Sequence, residues 1–126
     1  MASETLHEDP DKLGPEVIDR HRAIVSLMEE LEAVDWYDQR AKATSNAELR
    51  AILEHNRDEE KEHAAMALEW LRRNDPKMDE HLRTFLFKEG PITEIEANMG
   101  AEGGDEEAAS SDGSLGIGSL RQKLDR

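Results

Sequence analysis

The sequence predicts an all-α protein: an antiparallel two-helix hairpin followed by a short third helix. Three observations carry this expectation. Apolar residues recur at helical spacing from Val17 to Gln39 and again from Leu49 to Leu71. Ala43-Thr44-Ser45-Asn46 interrupts the two runs with turn and cap residues. Asp75-Pro76 and Gly90-Pro91 then frame a third, shorter apolar segment.

Met1 to Gly14 is polar and broken by Asp9-Pro10 and Gly14-Pro15, which predicts a mobile N-terminal arm over 1–14. The first helix is expected from about Pro15 to Arg40, with Ala23, Ile24, Leu27, Met28, Leu31 and Val34 on one inward arc. Ile18, Val25 and Trp36 form a further apolar line that a hairpin cannot bury, so a second contact surface and oligomerisation are expected. Ser45 or Asn46 caps the second helix, which continues to about Asn74. Its inward stripe reads Leu49, Leu53, Asn56, Glu60, Ala64, Ala67, Leu71, with Ile52 and His63 along one edge. The third helix is expected over Lys77 to Lys88 on Met78, Leu82, Phe85 and Leu86, and Ile92 to Met99 suits one more turn. The helical domain is therefore 15–99. Residues 100–113 are Gly, Ser, Ala and acids, a composition that reads as a disordered linker. Beyond it, 114–126 places Leu115, Ile117 and Leu120 at the end of a solvated tether, as a docking peptide whose aliphatic side chains fill pockets on a partner or as an adventitious apolar terminus.

Composition narrows the function classes. Of 126 residues, 30 are acidic and 16 basic, a net charge of −14 that argues against nucleic acid or an anionic membrane as partner and favours cations. With a polar tail set aside, roughly 75 residues remain to make a core, which is marginal for a lone chain. The sequence has no cysteine, so disulfides and thiolate metal sites do not enter. No apolar run approaches the ~18 residues of a membrane span and the start lacks a leader pattern. A soluble, cytoplasmic protein is expected.

The chemistry concentrates in Glu60-Lys61-Glu62-His63. Residues three apart lie on the same side of a helix, so Glu60 and His63 can direct a carboxylate oxygen and an imidazole nitrogen to one metal. A carboxylate on the inward face is costly unless paired, protonated or bound to a cation. The bland alternative is that both side chains bond to arginine or backbone or are solvated at the helix edge. In the first helix, Glu30 lies at the edge of the apolar arc between Leu27 and Val34 and is the inward carboxylate. Bundles that hold two irons between carboxylates take one Glu from each of two helices and a Glu-x-x-His from each of two others. One chain supplies one of each, so two copies must meet to complete a centre, an arrangement that predicts a homodimer at least. The ligand types suit iron, manganese or zinc, with redox-active iron the natural occupant of a Glu4His2 set. Glu29 and Glu32 fall on the opposite side, as a separate, shallower cation site or as solvated acids. His55, Glu59 and Glu62 share another flank, as an outer metal site or a charged solvated face. His7, His21 and His81 read as ordinary surface or edge residues.

The blocks Met28-Glu-Glu-Leu-Glu-Ala-Val-Asp-Trp-Tyr-Asp-Gln-Arg40 and His55-Asn-Arg-Asp-Glu-Glu-Lys-Glu-His-Ala-Ala-Met66, with Leu-Gly-Ile-Gly-Ser-Leu-Arg near the end, resemble the encapsulated ferritins. The resemblance implies a half-ferritin protomer that dimerises into a four-helix-bundle-like di-iron site, dimers closing into a ring, and carriage inside an encapsulin nanocompartment. It implies ferroxidase activity, with Glu30, Glu60 and His63 of each copy as ligands and Trp36 and Tyr37 close by. It makes Glu29 and Glu32 a site that attracts incoming cations, iron or another divalent ion, and His55, Glu59 and Glu62 an accessory metal site. It gives shell targeting to Leu115 to Arg121. The extra Gln-Lys-Leu-Asp-Arg departs from the pattern at the outer limit of that peptide. Two rival readings stand beside it: a di-metal enzyme that removes peroxide or oxygen, and a non-enzymatic helical cargo or interaction module.

Overall fold

The computed structural model describes residues 5–99. The linker and docking peptide expected over 100–126, with Leu115, Ile117 and Leu120, lie outside the described residues. The chain divides into two compact units, Met1–Glu80 and His81–Arg126. Among the described residues there is no strand. The helices are α1 (Pro10–Ala43), α2 (Ala47–Arg73) and α3 (Pro76–Phe85), with a further helical stretch at 92–99. No helix among these residues is long and apolar enough to cross a membrane.

A short helical turn precedes the helix expected from Pro15, and the break expected at Gly14-Pro15 separates the two within α1. Asp9 and Pro10 were expected to break the chain; instead the Asp9 carboxylate accepts from the Asp11 N–H at 3.0 Å and Pro10 opens the helix. That first turn is kinked from the rest at Gly14, where φ is 83° and ψ 161°, a region open essentially to glycine alone. The hairpin turn is held from both sides. The Thr44 N–H donates to the Arg40 carbonyl at 3.1 Å, and the Asn46 carboxamide oxygen accepts from Leu49 N–H at 2.8 Å, so Asn46 is the cap. Arg50 reaches back from α2 to donate to the carbonyls of Ala41, at 3.1 Å from Nε, and of Thr44.

Along the seam the two helices obey the same rule. Among the half-buried or buried residues, Ala23, Leu27, Glu30, Val34, Tyr37 and Ala41 form one stripe on α1, and Leu53, Arg57, Glu60, Ala64, Ala67 and Leu71 form one on α2. Both sets step by four and three alternately, the spacing of two helices packed nearly parallel to one another's axis. Ile24 and Leu31, expected on the inward arc, are left outside it, with Leu31 54% exposed. A single partner helix covers only a narrow seam, so an arc as wide as the sequence carries cannot all be buried by it. Ala41, Ala64 and Leu71 are the buried apolar residues among those described. An arginine ion pair crosses the seam: Arg57 Nη1 donates to Asp38 at 3.0 Å, while its Nε donates to Asp58 on its own helix at 3.0 Å.

At the end of α2, Glu69 accepts two bonds from Arg72, both at 2.8 Å, and one from Arg73 at 2.7 Å. These guanidinium donors hold its carboxyl down at about 2. Arg72 also pairs with Asp79 of α3, and Asp75 accepts from Met78 N–H at 3.1 Å in front of α3. In the second unit α3 stops at Phe85, short of the expected Lys88. Phe87 takes a left-handed φ of 59° and is fully exposed, and Lys88 Nζ donates to the Arg83 carbonyl at 3.0 Å, satisfying a terminal acceptor.

Removing the Asn46 side chain takes away the cap of α2 at the turn that sets the hairpin. Asn46→Ala is expected to cost about 1 kcal/mol in urea unfolding at fixed protein concentration; an unchanged midpoint and slope would show that the turn holds without it.

Candidate metal centre

Glu30 comes from the middle of α1, and Glu60 and His63 from the middle of α2; the antiparallel hairpin brings the three together although thirty residues separate the helices' contributions. One ligand atom from each lies within 4.8 Å of the others. His63 Nδ1 is 3.3 Å from Glu60 Oε1 and 3.7 Å from Glu30 Oε1. The side chains are 41% (His63), 24% (Glu60) and 29% (Glu30) exposed, so the group is neither sealed in a core nor free in solvent.

The electrostatics are those of two neighbouring carboxylates whose titrations move apart. Hydrogen bonding with Glu60, reinforced by burial, pushes the Glu30 carboxyl above its ordinary range. The same bond, with help from His63, holds Glu60 below it. Of the two carboxyls, Glu30 is therefore the one that holds a proton more readily. Hydrogen bonding to Glu60 raises His63, with the charges of Glu30, Glu60 and Glu59 adding to the shift. In effect the cluster gathers protons where a cation would compensate the same charge. Carboxylate oxygens with an imidazole nitrogen are a donor set that fits iron, manganese or zinc.

The remaining predicted residues are distributed differently. Glu29 and Glu32 are exposed on the outside of α1, away from the seam. Trp36 and Tyr37 lie beneath the Arg40 guanidinium, at 6.0 and 5.6 Å from their ring centroids, a cation–π arrangement one turn along α1. Glu62 is exposed and lines a shallow concavity with Ala65, Met66 and Trp70. His55 and Glu59 were expected on a flank away from Glu60, and here the structure differs. Glu59 Oε2 is 4.0 Å from His55 Nε2, and its Oε1 is 4.0 Å from Nε2 of His63, so this flank meets the cluster through the back of the imidazole. The i, i+4 spacing of Glu59 and His63 carried that signal in the sequence. The Asp38–Arg57 pair, separated by a turn, carried none.

An all-helical chain with these carboxylates and an imidazole at a helix seam falls in the ferritin-like class. More narrowly, the chain belongs to the EncFtn-like family, whose model matches residues 5–89. It is 64% identical over 127 residues to the encapsulated ferritin-like protein of Rhodospirillum rubrum, covering 96% of this chain and 91% of that one. An encapsulin nanocompartment cargo protein of Myxococcus xanthus is 35% identical over 105 residues, 78% of this chain and 81% of the relative. A crystal structure of a Nitrosomonas europaea protein superposes with a TM-score of 0.67 at 59% identity, over 69% of this chain and 96% of that one.

The proton-sharing cluster sets a pH dependence whose sign follows from the shifts. Glu30 and His63 are both raised, so the stability they contribute to the metal-free protein is complete below their unfolded values and is lost as pH climbs through the folded ones. Glu60, lowered, contributes above its unfolded value and loses that contribution on acidification. Metal-free thermal stability should therefore fall as pH rises above the ordinary carboxyl value of 4.5 and again above the ordinary imidazole value of 6.5, and Glu30→Gln should remove the carboxyl part of that fall. Affinity for a divalent cation, which must displace the same protons, should rise over the same interval. Thermal scans and calorimetry in metal-free buffer check both; parallel trends would contradict them.

Proposed function

We propose that the chain is a ferroxidase, oxidising Fe(II) to Fe(III) with dioxygen or peroxide as electron acceptor, at a di-iron site that two copies build together. The carrying observation is the convergence of Glu30, Glu60 and His63 within 4.8 Å on one half-exposed seam. Three side chains are too few to hold two irons; two copies supply the Glu4His2 set that a carboxylate-bridged pair takes. Iron here is substrate. The carboxylates hold and bridge the ions, their charge favouring the ferric product, and the imidazoles complete the coordination without adding charge.

Pairing of copies is supported by what the hairpin leaves uncovered. Val17, Ile24 and Leu31 repeat every seven residues along the outside of α1, and Ile52, Met66 and Trp70 stand exposed on α2. A chain with so few buried apolar side chains gains most by covering these stripes. Glu29 and Glu32, outside the seam, are assigned to attracting cations toward the centre. His55, Glu59 and Glu62 remain candidates for an accessory cation. Trp36 and Tyr37 are assigned to the outer surroundings of the centre, and dimers to a ring.

The relatives named for encapsulation and for nanocompartment cargo support a second part of the proposal. Leu115, Ile117 and Leu120 dock the chain inside an encapsulin shell in the cytoplasm, where oxidised iron accumulates as mineral. Each tail buries few side chains, but a ring of copies engaging one shell binds by avidity.

Separate measurements test the two parts. Glu30→Ala, Glu60→Ala and His63→Ala should each reduce Fe(II) oxidation by a hundredfold or more by the loss of a ligand, on the order expected for essential groups. Glu32→Ala should change the rate while leaving metal at the centre, and the active species should be a dimer or larger by native mass spectrometry. A competent monomer, or a wild-type rate in Glu60→Ala, would overturn the reading. Truncation before Ser114 should leave oxidation intact and abolish co-purification with a co-expressed shell; packaging of the truncated chain would remove the targeting role alone.

A further inference from the structure

The ring of His63 is flanked on both edges. Nδ1 faces the two cluster carboxylates, at 3.3 Å from Glu60 and 3.7 Å from Glu30, while Nε2 faces Glu59 Oε1 at 4.0 Å. Glu59 is one turn before His63 on α2, and its other oxygen stands 4.0 Å from Nε2 of His55, one further turn back. The three side chains make a line along the helix, imidazole, carboxylate, imidazole. An imidazole that binds a metal through one nitrogen has a single N–H left, and what accepts it fixes both the ring's orientation and the nitrogen that ligates.

We propose that Glu59 is a positioning residue of the metal centre: it takes the Nε2 edge of His63, so that the ring ligates through Nδ1 and cannot turn over. The inference rests on the metal-binding reading of Glu30, Glu60 and His63, and adds to it a residue that the sequence put on a separate flank. The 4.0 Å separation is at the limit of an ion pair and longer than a hydrogen bond, so the proposed role requires the exposed glutamate to turn about its broad terminal torsion toward Nε2. Once Nδ1 gives up its proton to a cation, the Nε2 proton is directed at a carboxylate whose charge raises the basicity of the ligating nitrogen. Ligation through Nε2 would instead turn that nitrogen toward the cluster and leave the Nδ1 proton facing away from Glu59.

The probe is the zinc ion, which is diamagnetic and suits carboxylate and imidazole donors. In the full chain labelled with nitrogen-15 at histidine, zinc-bound wild type should show His63 ligated at Nδ1 with a proton on Nε2. In Glu59→Ala the ring should populate both ligation modes, with zinc affinity about tenfold or more weaker by calorimetry, the range seen when an outer partner of a metal-bound imidazole is lost. Glu59→Gln, whose amide oxygen still accepts a bond, should recover the single Nδ1 mode with part of the affinity, a rescue that a helix-stability effect would not produce. Pure Nδ1 ligation with affinity within about twofold of wild type in Glu59→Ala overturns the positioning role while leaving the metal centre standing. Wild type that binds no zinc through His63 overturns both.

Discussion

Two carboxylates and an imidazole cannot share so small a space on charge alone, and this constraint organises the molecule. Glu30 sits on one helix and Glu60 and His63 on the other, so their meeting is a property of helix register rather than of any local motif. A shift of one residue between the helices would rotate Glu30 off the seam. The devices that prevent such a slip lie at one end of the hairpin and partway along it: the Asn46 cap, Arg50 on the carbonyls of Ala41 and Thr44, and Arg57 on Asp38.

The same seam explains why the chain is poorly suited to stand alone. Its interior positions include Glu30 and Glu60, which contribute nothing apolar, and two of its buried residues are alanines. Two helices with polar groups in their shared face bury little, and the apolar residues that would compensate are turned outward. The functional group and the apparent weakness of the fold are therefore one feature: polar side chains occupy places that a stable hairpin would give to leucine.

Much of this was readable before any coordinates. Periodicity put Glu60 in the inward stripe and Glu30 at the edge of the facing arc, because a lone carboxylate in an apolar repeat is a strong signal. The same periodicity overstated the core, since Ile24 and Leu31 share an arc with Leu27 on a helical wheel but not a seam against a single partner. Asp9-Pro10 was ambiguous in kind: aspartate followed by proline ends one segment and begins another, and only the Asp9 bond to Asp11 decides. The stop of α3 at Phe85 was hidden because nothing in a phenylalanine announces a left-handed backbone. The contact of Glu59 with His63 was present as a spacing, but helices rich in glutamate offer many such spacings and tertiary placement selects among them. The cross-helix pairing of Asp38 with Arg57 depends on register, which no stretch of either helix encodes by itself.

Ala41 and Ala64 are small, and both are buried where α1 and α2 approach. The distance between two packed helices follows the size of the side chains at their contact. Ala64 is the residue next to His63 and one turn beyond Glu60, so its methyl group acts as a spacer for the gap across which Glu30 must reach. A bulkier residue there would widen the bite of the donor set without altering a single donor. In the proposed centre the spacing of the donors is in that sense written in alanine, at a position that is not itself a donor.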